Sequence, residues 1–94
     1  MQDYIATFYS DFGALSFCRG LQNLSVQAEL MPTPRKLSSS CGVCVGFRVT
    51  SQDDEGEDKA GEKDFALRQA QQAIELEGLY LVTGHNMFET LLHN

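Results

Sequence analysis

Two stretches of alternating polarity, on either side of a proline-containing loop, constrain the fold of this 94-residue chain more than any other feature. Residues 26–31 and 43–50 each place apolar side chains at every second position, the spacing of a strand with one buried face. The loop between them holds Pro32 and Pro34, which fix φ at about −65° and keep the preceding residues extended. We therefore predict that the two strands pair as a hairpin. If the valines of the second strand face the core, Cys44 faces away from it.

The remaining apolar patterns predict two helices and two further strands. Residues 4–9 are aromatic and β-branched, which favours a central strand. Residues 14–21 and 67–74 carry apolar side chains at helical spacing. Gly78 is predicted to end the second helix, because glycine commonly follows a helix C-terminus. Residues 78–82 are wholly apolar and are predicted to form a short strand.

This order of elements predicts an α+β fold of the ferredoxin-like β-α-β-β-α-β type, with a four-stranded antiparallel sheet and two helices on one face. Residues 84–94 are predicted to be a short C-terminal tail that turns at 84–86 and then forms one or two helical turns. The opposite face of the sheet is expected to be open to water or to a second subunit, so a homodimer through that face is an expectation. The predicted residues of this open face are Gln27, Glu29, Cys44 and Arg48.

Composition and charge narrow the class of protein. A length of 94 residues, with 43% hydrophobic and 21% charged residues, predicts one globular domain over residues 1–94. Seven acids and two lysines between 53 and 64 give −5 of the net charge of −6, so a mobile acidic loop is predicted at about 51–63. The sequence has no basic stripe of the kind that binds nucleic acid, so we expect no nucleic-acid partner. No apolar run suits a membrane span and no signal peptide is visible, so we expect a cytoplasmic protein without a membrane partner.

The loop carries groups that suit a reactive thiol. Two adjacent cations lie five and six residues before Cys41, and nearby cations stabilise a thiolate and lower its pKa. Serine hydroxyls and a glycine, whose backbone N–H groups approach an anion without a side chain in the way, extend the pattern. The loop is therefore predicted to hold a thiolate, a persulfide or a small oxyanion. The predicted anion-binding residues are Arg35, Lys36, Ser39, Ser40 and Gly42.

Three cysteines, an odd number, argue against a disulfide framework and favour reduced thiols. The Cys41-x-x-Cys44 pair also occurs in zinc sites and in redox dithiols. A structural zinc ion needs four ligands, but Cys18 lies on a predicted core stripe, and His85 and His93 are eight residues apart. A thioredoxin-like pair opens a helix, whereas this pair opens a strand. We therefore expect no bound metal, and keep dithiol redox chemistry and a zinc site shared between two chains as alternatives.

Residues 31–42, reading MPTPRKLSSSCG, resemble the putative selenium/sulfur carrier protein-like family of small bacterial domains. Residues 7–9 and 14–15 add to a resemblance that covers about 4–49. The family pattern is Pro-x-Pro-Arg, then serine, then Cys-Gly; the acidic loop departs from it as an insertion, and Cys44 lies outside it. The resemblance implies a carrier, not a turnover enzyme, without a permanent cofactor. Cys41 would accept sulfur or selenium as a persulfide or perselenide from a cysteine desulfurase-type donor and pass it to an acceptor protein.

One other function remains open from the residues alone, beside the dithiol and shared-zinc alternatives. A binding or regulatory module for a small anion or a peptide would need the loop cations and not the thiol. In the carrier hypothesis, Cys44 would release the atom by forming a disulfide with Cys41. Sulfur and selenium are not distinguished by the sequence.

Overall fold

The computed structural model describes residues 2–37, 41–49 and 59–94, which form one antiparallel sheet and two helices. The elements are β1 (Gln2–Phe8), α1 (Asp11–Asn23), β2 (Gln27–Pro32), β3 (Val43–Val49), α2 (Lys59–Gln72), β4 (Leu76–Gly84) and β5 (Met87–His93). The sheet has the strand order β2-β3-β1-β4-β5. β1 therefore lies at its centre, between β3 and β4.

The predicted ferredoxin-like four-stranded sheet is wrong, because the sheet has five strands. The α+β class and the order of the first six elements agree with the prediction. The segment predicted as a tail with helical turns is β5, which pairs antiparallel with β4. Asn86 closes the turn between them with a φ of 59°, a left-handed conformation that asparagine tolerates. Pairing with the long β4 thus overrides the local preference of residues 87–92.

Gly78 does not end the second helix. α2 ends at Gln72, and Gly78 lies within β4. A Cβ atom at Gly78 would lie 2.7 Å from the hydroxyl of Tyr80, so the glycine makes room for that ring. The predicted acidic loop, at about 51–63, extends too far, because α2 already begins at Lys59. Residues 50–58 lie outside the described part of the chain.

The main core lies between the sheet and the helices. Ser10 caps α1 by accepting a hydrogen bond from the Gly13 N–H at 3.2 Å. The rings of Phe8, Phe17 and Phe47 pack with centroids 5.3 and 5.6 Å apart, in tilted and edge-to-face arrangements. The predicted helical stripe is confirmed, since all its members are buried: Ala14, Phe17, Cys18 and Leu21.

A second, smaller cluster lies on the opposite face of the sheet. It contains the buried side chains of Ile5, Leu37, Cys44 and Tyr80, with Phe88 packed beside them. The predicted orientation of Cys44, away from the helices, is confirmed, but its predicted place on an open face is wrong, because this cluster buries it completely. Neither helix in the described residues is long and apolar enough to cross a membrane.

Candidate functional site

The loop between β2 and β3 extends the hairpin before it departs from it. The Thr33 N–H donates to the Gly42 carbonyl at 2.9 Å, one step beyond the last ladder pair of Pro32 with Val43. The Thr33 hydroxyl also donates to the Cys41 carbonyl at 3.2 Å. These two bonds fix the backbone at Cys41 relative to the end of β2. These hydrogen bonds add to the rigidity that Pro32 and Pro34 are expected to give the start of the loop.

The tip of the loop folds back onto the sheet. The Leu37 N–H donates to the Pro34 carbonyl at 3.0 Å, which closes a turn around Arg35 and Lys36. Both cations are exposed. Leu37 is only 7% exposed, because it packs in the second cluster on the face opposite the helices. Leu37 therefore anchors the loop, a role that the sequence analysis did not assign to it.

The Cys41 thiol lies at the start of α1. Its Sγ donates to Oδ1 of Asp11 at 2.9 Å, and Asp11 is the first residue of the helix. An acidic side chain suits this position because the N-terminal end of a helix dipole is positive. Cys41 is 9% exposed, so little of the residue is in contact with solvent. β1 ends and β3 begins at this same end of the sheet.

The pKa of Cys41 is raised, where we predicted that Arg35 and Lys36 would lower it. The largest cause is the hydrogen bond to the Asp11 carboxylate, followed by a Val43 backbone hydrogen bond that lowers the pKa. Burial and the negative charges of Asp11 and Glu77 raise it further. Among the described residues, neither cation is one of the groups that set this pKa. The site therefore favours the neutral thiol at rest.

The second thiol of the pair, that of Cys44, packs in the cluster on the face of the sheet opposite the helices. Cys44 is fully buried, and its Sγ donates to the Pro32 carbonyl at 3.8 Å. Burial raises its pKa from the ordinary 9.0 to about 11; a hydrogen bond with Thr33 lowers it and the charge of Cys41 raises it. All three cysteines are free thiols, and Cys18 is buried in α1 as predicted. Thr33 thus contacts both members of the Cys-x-x-Cys pair.

The structure brings together only some of the predicted site residues. Cys41, Cys44 and Gly42 meet at the end of the sheet, while Ser39 and Ser40 lie outside the described residues. A Cβ atom at Gly42 would meet nothing within 4 Å, so no close contact requires this glycine. Within residues 2–37, 41–49 and 59–94, no three His, Cys, Asp or Glu side chains are grouped to hold a metal ion.

Asp11 is the functional candidate that sequence reasoning missed. The sequence indicates it only as an acid at the start of a helix, where acids are common for reasons of helix stability. Its contact with Cys41 joins residues thirty positions apart and depends on the packing of α1 against the end of β3. No local pattern carries that information.

A groove of about 550 Å³ lies on the face of the sheet opposite the helices. Its lining is mixed, with apolar side chains such as Met31 and Phe88 and a salt bridge between Arg48 and Asp3 at 2.6 Å. Among the residues predicted for this face, Gln27, Glu29 and Arg48 line the groove. The predicted homodimer through this face stays a prediction.

Comparison with protein families decides the relationship of this chain to known proteins. Residues 3–80 match the family described as putative Se/S carrier protein-like. The chain belongs to this family. The match runs from β1 into β4 and includes Asp11, Cys41 and Cys44, and it confirms the resemblance drawn from the sequence. Separate comparisons with curated proteins and with solved structures found no match.

The family description favours a Se/S carrier that works with partner proteins, and it is compatible with a protein that is not an enzyme.

Proposed function

We propose that this protein carries sulfur or selenium on Cys41, as a persulfide or perselenide, from a donor protein to an acceptor protein. The observation that carries the proposal is the Cys41 thiol, in a residue that is 9% exposed, bonded to Asp11 at 2.9 Å in a member of a Se/S carrier family. A cysteine desulfurase-type enzyme suits the donor role, because such a donor bears a sulfur that a thiol can attack. As a carrier, the protein would turn over no substrate of its own.

Loading would be a sulfur exchange without net oxidation. The Cys41 sulfur attacks the outer sulfur of the donor persulfide, and the S–S bond of the donor breaks as its thiolate leaves. Asp11 lies where it can accept the Cys41 proton during the attack and return it to the departing thiolate. Cys41 ends with one additional sulfur and the donor ends as a thiol. A perselenide would follow the same balance.

Unloading would follow from the same contact. A persulfide anion on Cys41 would lie beside the Asp11 carboxylate and near Glu77, so the site would hold it weakly. Such a group suits a carrier, because an acceptor thiol can give its proton to Asp11 as its sulfur attacks the outer sulfur. The bond to Cys41 then breaks, and Asp11 returns the proton to the departing Cys41 thiolate. The negative charges thus favour transfer of the sulfur to an acceptor, whereas the predicted cations would have favoured its retention on Cys41.

Cys44 offers a second route for unloading. Its sulfur would attack the inner sulfur of the Cys41 persulfide, which forms a Cys41–Cys44 disulfide and releases hydrosulfide. Full burial and a pKa of about 11 make this thiol a slow nucleophile at neutral pH. The charge interaction between the two cysteines supports the route, while the burial of Cys44 favours direct transfer from Cys41 to an acceptor. Cys44→Ala would lose hydrosulfide release only if this second route operates.

The test is labelling from a persulfide donor. The protein is incubated with a cysteine desulfurase and labelled cysteine, and the added mass is located by mass spectrometry without reductant. We expect one sulfur on Cys41, none in Cys41→Ser, and full labelling in Cys18→Ala, which removes a buried thiol remote from the site. Equal labelling of Cys41→Ser, or no added mass on Cys41, would remove the proposal. Anion binding that survives Cys41→Ser but not Arg35→Ala would favour a binding module instead.

A further inference from the structure

Three exposed apolar side chains lie at the end of the sheet that presents Cys41. Phe12 is 65% exposed, Ile74 is 51% exposed and Tyr9 is 48% exposed. Single exposed apolar residues are ordinary on a protein surface, but a group of them beside a reactive residue marks an interaction site. These three come from the end of β1, the first turn of α1 and the segment before β4.

Backbone contacts hold these segments side by side. The Tyr9 N–H donates to the Glu75 carbonyl at 2.9 Å. A Cβ atom at Gly13 would lie 2.9 Å from the Ile74 carbonyl oxygen, so the first turn of α1 touches that segment. Phe12 lies between Gly13 and Asp11, whose carboxylate binds the Cys41 thiol. The Tyr9 hydroxyl donates to the Asn94 carbonyl at 3.1 Å, so its ring is directed toward the end of β5. We call Phe12, Ile74, Asp11 and Glu75 the thiol rim.

The charge around the thiol is negative. Asp11 and Glu77 both raise the pKa of Cys41 through their charges, and Glu75 accepts a hydrogen bond from Ser10. A partner surface with basic residues would be attracted to this end of the sheet, and an acidic one would be repelled. The rim therefore combines exposed apolar side chains with negative charge. Both properties restrict the partner.

We infer that the thiol rim docks a protein segment that presents its reacting sulfur between apolar and basic residues. The inference rests on the proposed function, since it names the kind of partner that reaches Cys41. Because Cys41 is only 9% exposed, the partner must bring a projecting segment to the thiol. Phe12 supplies the large exposed aromatic group that commonly anchors such a contact.

The experiment compares two synthetic peptides of equal length. In one, leucine and lysine flank the central position; in the other, serine and glutamate flank it. Binding is measured by fluorescence anisotropy with serine at the centre, so that no sulfur chemistry is needed. We expect the leucine-lysine peptide to bind at least about tenfold more tightly, with a difference that shrinks as salt is added.

Matched surface variants distinguish binding at the rim from non-specific binding to exposed apolar side chains elsewhere. The double variant Phe12→Ser/Ile74→Ser is expected to lose the preference, and Leu24→Ser/Met87→Ser, which removes equally exposed apolar groups elsewhere, is expected to keep it. Equal binding of the two peptides, or the same binding by both double variants, would overturn the inference. Transfer from free cysteine persulfide to Cys41 reports separately on the proposed function, because that small donor does not need the rim.

Discussion

The Sγ atom of Cys41 lies 2.9 Å from the Oδ1 atom of Asp11, although the two residues are thirty positions apart in the chain. The packing of α1 against the end of the sheet creates this contact. A carboxylate next to a thiol opposes ionisation of the sulfur, whereas a cation would promote it. The observed neighbour, Asp11, therefore raises the pKa of Cys41, whereas the loop cations predicted as its neighbours would have lowered it.

Replacement of Asp11 by asparagine is expected to lower the pKa of Cys41. The substitution keeps the size of the side chain and removes the largest cause of the raised pKa. The rate of alkylation by iodoacetamide near pH 8 should then rise several-fold, because more of the sulfur is thiolate. The measurement is the alkylation rate of Cys41 against pH. Glu89→Gln, an exposed acid on β5, is the control, and an unchanged profile in Asp11→Asn would contradict the assignment.

The loop cations are expected to leave the Cys41 pKa unchanged. Arg35 and Lys36 are exposed in the turn closed by Leu37 and are not among the described groups that act on the thiol. Arg35→Ala/Lys36→Ala should therefore give the alkylation profile of the unmodified protein. A shift of that profile to higher pH would restore the role that the sequence predicted for them.

High pH is expected to destabilise the fold through Cys44. Its folded pKa of about 11 exceeds the ordinary 9.0, so the folded protein keeps the proton that the unfolded chain loses. The contribution to stability is complete below pH 9 and is lost as the pH rises to 11. The loss is on the order of 2 kcal/mol. Urea unfolding at several pH values should show this extra loss in the unmodified protein relative to Cys44→Ala; parallel curves would contradict it.

Two glycine substitutions are expected to have opposite effects. Gly78→Ala would place a Cβ atom 2.7 Å from the Tyr80 hydroxyl within a packed cluster, which should destabilise the protein by roughly 1–3 kcal/mol. Gly20 lies exposed within α1 with nothing within 4 Å of its added Cβ, so Gly20→Ala should stabilise by roughly 0.5–1 kcal/mol. Thermal or urea unfolding measures both. Similar stability of the two variants would show that the Tyr80 ring moves freely.

The sequence predicts those parts of the structure whose signals are local. Alternation predicted β2 and β3 together with the face of Cys44, and the helical stripe predicted the buried side of α1. β5 was missed because the choice between helix and strand at residues 87–92 depends on pairing with β4. Gly78 was misread because the neighbour that excludes its side chain is Tyr80 in the folded sheet, not a helix terminus. Asp11 was missed for the same reason, since its partner is tertiary.

Leu37 packs on the face of the sheet opposite α1, while Cys41, four residues later, is bonded to the first residue of α1. The chain is thus fastened on both sides of the sheet within a very short distance along the sequence. The packing of Leu37 and the bond to Asp11 therefore restrict the positions that the Cys41 sulfur can take. In the proposed transfer, donor and acceptor would therefore each have to bring their reacting sulfur to Cys41.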